Sequence, residues 1–233
     1  MSLPTFEPGA FEEAGYARGY RYIAGLDEVG VGPLAGPVVA AAVVLPRGLL
    51  NLEIKDSKLL AASKRDSLAA WIKEKAVAWA VGIVSAEEID RINILNATHL
   101  AMAIAFRQLN PAPDYLLIDG AYEIPRTLLR GESSRLDAFP CQKAIKKGDR
   151  ICFSIAAASI LAKVTRDQLM QEYDRLYPQY SFGCHKGYAS EVHLKALRQF
   201  GPSPIHRRSF GSVRKVLGKA LGEMAPAPLF RQQ

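Results

Sequence analysis

Residues 22–37 read YIAGLDEVGVGPLAGP. Ile23, Ala24 and Leu26 form an apolar run that leads into two adjacent carboxylates, Asp27 and Glu28. Three glycines follow, Gly30, Gly32 and Gly36, and then a second apolar run over 38–45. Short apolar runs bounded by glycine mark buried strands. The stretch therefore predicts strands over about 22–28 and 38–45, joined by a tight Gly-rich turn with an acidic pair at its mouth. Adjacent side chains on a strand point to opposite faces. Asp27 and Glu28 can serve one site only if the strand ends or bends there, and Gly30 and Gly32 permit that.

Two phosphate-binding readings of these glycines fail. The order is G-x-G-x-x-x-G rather than G-x-G-x-x-G, and a β-branched run follows where a dinucleotide fold would open a helix. No Gly-Lys-Ser/Thr follows, which excludes a Walker loop. Taken alone, the stretch leaves two readings open: a β-hairpin with a surface acidic pair, or a strand-end site built on carboxylates.

The 233 residues suit one large domain, or one domain with an appendage, and a hydrophobic content of 49% is enough for a packed core. No apolar run reaches the ~20 residues of a membrane-spanning helix. The opening MSLPTFEPGAFEEAG lacks the basic and then apolar pattern of a secretory signal. Cys141, Cys152 and Cys184 are odd in number and have no C-x-x-C spacing, so they read as reduced thiols of a cytoplasmic protein rather than a disulfide frame or zinc site. A net charge of +7 favours a polyanionic partner.

Along the chain, 7–20 predicts a short amphipathic helix beside the first strand. A loop over 47–57 ends in Asp56-Ser57-Lys58. A helix over 63–75 follows, with Ser63 as N-cap and Asp66 closing a capping box. Residues 76–85 predict a third strand, after which Ser85 caps a short helix carrying Glu87 and Glu88 in its first turn. A helix over 96–109 stops at Asn110-Pro111. Tyr115-Leu116-Leu117-Ile118 predicts a central strand covered on both faces, ending at Asp119-Gly120. Residues 121–140 read as an irregular excursion. QKAIKKGDR then gives a short strand and a turn that presents Asp149. Helices are expected over 151–177, 190–200 with Ser190 as N-cap, and 212–221, followed by a mobile tail. Strands first, then alternation, then helices indicate an α/β sheet with a helical C-terminal part.

Asp27, Glu28, Asp119 and Asp149 all sit beside glycine turns, and the first three end apolar strands. Open sheets place ligand sites outside strand ends, so these acids can converge in one cleft. An all-oxygen cluster suits Mg²⁺ or Mn²⁺ and phosphate chemistry with two ions. From 183 to 219 there are eight Lys/Arg (Lys186, Lys195, Arg198, Arg207, Arg208, Arg214, Lys215, Lys219) against one acid, Glu191. Cations that hold a phosphate backbone beside a metal cleft would make a nuclease. A solvated basic helical face is the other reading of the same charges.

Seven segments in order carry a resemblance: AGLDEVGVGPLAGPVVAA, DSK at 56–58, LLIDG at 116–120, KKGD at 146–149, AASILAKVTRD at 157–167, HKGY at 185–188 and HRRSF at 206–210. Together they closely resemble bacterial ribonuclease HII, the type 2 ribonuclease H. The match covers about 20–216: an α/β core to about 177, then a helical, basic part. Residues 1–19 would be an N-terminal helix or arm, and 217–233 a tail. The resemblance implies a ribonuclease H-like fold, a mixed five-stranded sheet flanked by helices. It implies an endonuclease that cuts the RNA strand of RNA–DNA hybrids and cuts 5′ to a single ribonucleotide in duplex DNA, as in primer removal and ribonucleotide excision repair. Its products would carry 3′-hydroxyl and 5′-phosphate ends.

The resemblance also implies roles. Asp27, Glu28, Asp119 and Asp149 would be the catalytic, metal-holding acids for two Mn²⁺ or Mg²⁺ ions, with Asp27 bridging them. The backbone at Gly30, Val31 and Gly32 would approach the 2′-hydroxyl, the group that marks RNA. Tyr188 would stack on the neighbouring deoxyribose, although a core tyrosine is an equally good reading of that residue alone. Lys58, Lys163 and Lys186 would contact phosphates or shape the cleft. A monomer is expected. The chain departs from the family where Gly30-Val31-Gly32 replaces the usual Gly-Arg-Gly, which removes a guanidinium contact. The connection from Asp119 to Asp149 is longer than usual and holds another acid, Asp137; the KGD context favours Asp149. The tail over 226–230 faintly resembles a sliding-clamp peptide.

Three alternatives compete. The type 3 ribonuclease H would carry an N-terminal platform domain that this chain lacks. A catalytically silent nucleic-acid-binding module would gain nothing from four carboxylates that repel phosphate. A small-molecule phosphatase leaves the basic flank unexplained.

Overall fold

A computed structural model describes residues 9–54, 60–130 and 139–223. The chain divides into two compact units: Met1–Val31 with Pro37–Gln168, and Gly32–Gly36 with Leu169–Gln233. The first unit holds, in order, α1 (Ala10–Ala17), β1 (Ile23–Val29), β2 (Val38–Val44), α2 (Ala62–Lys75), β3 (Ala78–Val84), α3 (Ala86–Ile92), α4 (Ile94–Arg107), β4 (Tyr115–Asp119), α5 (Arg126–Arg130) and β5 (Cys141–Ile145). The helix α6 (Phe153–Leu176) begins in the first unit and ends in the second, which also holds α7 (Phe182–His185), α8 (Glu191–Phe200) and α9 (Gly211–Glu223).

The five strands form one mixed sheet of order β3-β2-β1-β4-β5. β1–β2 and β2–β3 are antiparallel, whereas β1–β4 and β4–β5 are parallel. This is the fold class that the sequence predicted. β1 is the middle strand, flanked by β2 and β4, and β2 carries nothing but Val and Ala. All seven residues of β2 are buried.

The pleat assigns the faces. Gly82 of β3 faces α4, where an added Cβ would stand 1.9 Å from the Ala101 carbonyl oxygen. The opposite face, carrying Ala41, Val43 and Val81, packs with Leu68 and Ile72 of α2 and Ile160 and Leu161 of α6. Gly25 pairs with Val43 and shares that face. A Cβ on Gly25 would lie 2.1 Å from the backbone of Ser154, so α6 rests directly on the central strand. In the second unit, Met170, Tyr180, Phe182 and Ala196 pack with Ala35, and Leu197 and Val213 pack with Leu34.

Several local expectations shift. Ser63 is not the N-cap of α2. The preceding Ala61 is extended and makes no side-chain cap, which places Ser63 inside the first turn. α4 begins two residues before the expected Asn96, because the Asn93 side chain accepts from the Asn96 amide at 3.1 Å and caps it. Ser85 and Ser190 cap as expected, accepting from Glu88 and His193. The excursion after β4 contains α5, and α7 was not expected. All three cysteines are unbridged. Among the described residues no helix is long and apolar enough to cross a membrane. Asp56-Ser57-Lys58, Asp137 and the tail over 226–230 lie outside the described residues.

Candidate active site

Strands β1, β4 and β5 run parallel, so their C-terminal ends share one edge of the sheet. That edge receives Asp27 and Glu28 from β1, Asp119 as the last residue of β4, and Asp149 from the 3-10 turn Gly148–Arg150 just after β5. The parallel β1–β4 pairing ends at Leu26↔Ile118, whereas β1 stays paired with β2 to Val29↔Val39. The expected end of the strand at Glu28 therefore moves to Val29. What opens at Asp27 is the β4 side of β1. By alternation Asp27 takes the α6 face and Glu28 the other.

Asp27 is 4% exposed. Burial pushes its carboxyl well above the usual carboxylate range, and repulsion from Glu28 and then Asp119 adds to this. Hydrogen bonds from Ser159 and from the Glu28 amide, at 2.8 Å, act in the opposite direction. The Asp119 carboxylate is tied to the next strand end, since its Oδ1 accepts from the Gly148 amide at 2.7 Å. A Cβ on Gly148 would stand 3.4 Å from that same oxygen. Lys147 adopts a left-handed conformation (φ 58°), which turns the chain into the Gly148–Arg150 turn and buries Asp149. Among the described residues no three His, Cys, Asp or Glu side chains already converge as a metal-holding group. The donor set nevertheless fits a hard divalent cation: it is all carboxylate oxygen, and Asp27 carries the repulsion that such a cation offsets.

The glycine turn begins in the first unit. Gly30 has φ 94°, and a Cβ there would meet the Arg166 side chain at 2.2 Å. Arg166 is fully buried and its Nε donates to the Pro37 carbonyl at 3.0 Å, so one guanidinium braces the far side of the turn. Sequence reasoning missed Arg166 even though it lies inside one of the quoted segments. Lys163 does not reach towards a cleft as an isolated cation; its Nζ donates to Asp167 Oδ1 at 2.6 Å, and Asp167 also faces Arg65 at 3.7 Å. Val31 is 40% exposed.

The rest of the turn, 32–36, is held within the second unit. The Leu34 amide donates to the Gly187 carbonyl at 2.8 Å, and the Arg207 amide donates to the Leu34 carbonyl at 2.9 Å. Arg207 is fully buried and its Nε donates to the Gly36 carbonyl at 3.0 Å. A Cβ on Gly32 would have Tyr188 Cε1 as its nearest neighbour, at 3.8 Å. A side chain at position 32 would thus be in van der Waals contact with the half-exposed Tyr188 ring, so the two residues lie side by side. Lys186 adopts a left-handed conformation and donates to the Gly183 carbonyl.

The ribonuclease HII family model matches residues 24–213. Ribonuclease HII of Geobacter sulfurreducens is 51% identical over 226 residues, which cover 94% of this chain and 99% of that protein. Among solved structures, ribonuclease H2 from Pyrococcus horikoshii matches with a TM-score of 0.70 at 27% identity, over 85% of this chain and 98% of that one. The ribonuclease HII of Archaeoglobus fulgidus, solved in complex with PCNA, matches with a TM-score of 0.64 at 26% identity, over 82% and 95% of the two chains.

Proposed function

The chain belongs to the ribonuclease HII family and is an endonuclease of the ribonuclease H class; from that premise we propose that it cuts the RNA strand of RNA–DNA hybrids and cuts 5′ to a single ribonucleotide in duplex DNA. The observation that carries this is the delivery of Asp27, Glu28, Asp119 and Asp149 to one sheet edge by three parallel strand ends.

These four carboxylates would hold Mg²⁺ or Mn²⁺. The chemistry such ions would supply is activation of water near neutral pH and an offset for charge on the leaving 3′-oxygen, which would leave 3′-hydroxyl and 5′-phosphate ends. The protein supplies the rest. Burial on the α6 face fixes Asp27, and Ser159 and the Glu28 amide orient its oxygens. The Gly148 amide fixes one Asp119 oxygen and leaves the other to face a ligand. Arg166 and Arg207 hold the carbonyls of Pro37 and Gly36 at the end of the turn whose backbone at Gly30, Val31 and Gly32 would meet a 2′-hydroxyl. The half-exposed Tyr188 ring beside Gly32 would take the sugar.

The substrate-binding roles of Gly30, Val31, Gly32 and Tyr188 belong to this proposal. So does a weaker share for Lys186 and Lys163, the latter acting through its pair with Asp167. Residues 20–216 would act as one catalytic domain of a cytoplasmic monomer. A clamp contact through the tail is favoured only by the Archaeoglobus relative, which was solved with PCNA.

The test is cleavage of an end-labelled DNA duplex carrying one ribonucleotide, beside an all-DNA control, with Mg²⁺, Mn²⁺ or chelator. A metal-dependent cut 5′ to the ribonucleotide and none in the control is expected. Cleavage of the control, or no cleavage of this duplex or of a long hybrid, would overturn the reading.

A further inference from the structure

Histidines 185, 193 and 206 form one group in the second unit, and the chemistry above uses none of them. The rings of His185 and His193 stack with centroids 4.5 Å apart, and His206 follows at 5.2 Å from His193. His193 and His206 are 0% and 2% exposed. Three adjacent imidazoles invite a metal reading, but all six ring nitrogens already have hydrogen-bond partners inside the protein.

Those partners determine where each proton sits. An amide can only donate, so the Ser203 N–H, 2.9 Å away, makes His206 Nδ1 an acceptor. The proton of the neutral His206 ring is therefore on Nε2, which donates to His193 Nε2 at 3.0 Å. His193 Nε2 accepts, so its own proton is on Nδ1, which donates to the Tyr188 carbonyl at 2.8 Å. A carbonyl can only accept, so the assignment agrees from both ends. His185 is fixed in the same way: Nδ1 accepts from the Gly187 amide at 3.2 Å and Nε2 donates to the Tyr180 carbonyl at 2.8 Å. A second proton on either His193 or His206 would set two N–H groups against each other. Burial lowers the pKa of both rings, that of His206 to about 4, and keeps them neutral.

The chain of bonds has a fixed origin. His206 forms a backbone bridge with Ala35 of the glycine turn, and the neighbouring Leu34 amide holds the Gly187 carbonyl. We propose that Ser203, His206 and His193 form a positioning relay that holds the Tyr188 backbone in register with the glycine turn, and so places the Tyr188 ring for its ribonucleotide contact. The inference rests on the reading of Tyr188 given above.

Two measurements test it. Long-range ¹H–¹⁵N spectra of the imidazoles at neutral pH should show Nε2–H for His185 and His206 and Nδ1–H for His193. An Nε2–H tautomer at His193, or averaging between tautomers, would overturn the relay whatever the activity. In cleavage of the single-ribonucleotide duplex, His193→Phe keeps an aromatic ring but removes both bonds, and should lower kcat/KM by about tenfold, the scale of one buried hydrogen bond. His193→Asn, which keeps a donor at the Nδ1 position, should recover most of that loss and carries the test should the Phe variant fail to fold. In a Tyr188→Ala background neither change should have a further effect. Losses at His193 and Tyr188 that multiply would overturn the relay. A Tyr188→Ala variant of full activity, with the assigned tautomers present, would instead reject the Tyr188 contact and with it the relay's use in cleavage.

Discussion

His206→Gln should change how stability depends on pH, in a direction and by an amount that follow from one buried ring. In the folded chain the His206 pKa is about 4, against 6.5 for an unperturbed histidine, chiefly through burial and then through the neighbouring His193. The folded pKa is the lower one, so the unfolded chain takes up this proton first as pH falls. The contribution is therefore fully present above pH 6.5 and is lost between 6.5 and 4. At ~1.4 kcal/mol per pKa unit, the whole loss is about 3 kcal/mol, and about 2 kcal/mol of it falls between pH 7 and pH 5. The ring is 2% exposed, so solvent does not screen the effect. Urea unfolding of both proteins at pH 7.5, 6 and 5 reads it directly, because carboxylates titrate alike in both chains and cancel in the difference. The variant should be the less stable protein at pH 7.5, where it lacks the bond to Ser203. The gap should then close by about 2 kcal/mol by pH 5. A gap that stays constant across this range would refute a neutral, buried His206.

Asp27→Asn should raise the thermal midpoint at pH 7.5 in chelator, because it removes a charge disfavoured by burial, Glu28 and Asp119. The folded pKa is raised here, so the wild-type penalty appears as pH rises above 3.8 and the gain should vanish below it; an unchanged midpoint at pH 7.5 would contradict the burial argument. Gly25→Ala places a Cβ 2.1 Å from the Ser154 backbone, which cannot swing aside. Its urea midpoint should fall by at least the roughly 1–3 kcal/mol of ordinary overpacking. Val31→Arg adds a guanidinium at a 40% exposed position on the glycine turn. Binding to duplex should tighten at low salt, with the log–log salt slope steeper by about 0.9 if the new cation meets one phosphate. An unchanged slope would exclude that contact.

The parts of the fold that were legible before the structure rest on short-range rules. Apolar runs ending in Asp-Gly or Asp-Glu-x-Gly gave β1 and β4, and KKGD gave the turn after β5. Parallel pairing of those strands then brings their acids together. What was not legible depends on distant partners. Arg166 reads as one more charge on a basic helix until the Pro37 carbonyl stands opposite its Nε. Arg207 reads as part of the basic flank, yet it is fully buried on the Gly36 carbonyl. The three histidines have no ligand-like spacing, and their connection runs through ring stacking and the backbone of Ser203 and Tyr188. Lys163 shows the reverse case: a residue expected at phosphate is spoken for by Asp167, four residues along its own helix. Ser63 failed as a cap because helical geometry begins one residue earlier, at Ala62.

The central claim is that Asp27, Glu28, Asp119 and Asp149 act as one site. It is tested most directly by kcat on the single-ribonucleotide duplex with saturating Mn²⁺ for Asp27→Asn, Glu28→Gln, Asp119→Asn and Asp149→Asn, each shown to be folded and to bind the duplex. Every variant should lose at least about a hundredfold in kcat, the scale on which losing a single transition-state stabiliser is felt, with binding retained or strengthened as repulsion of the phosphates falls. Wild-type turnover by any one of the four folded variants would contradict the account.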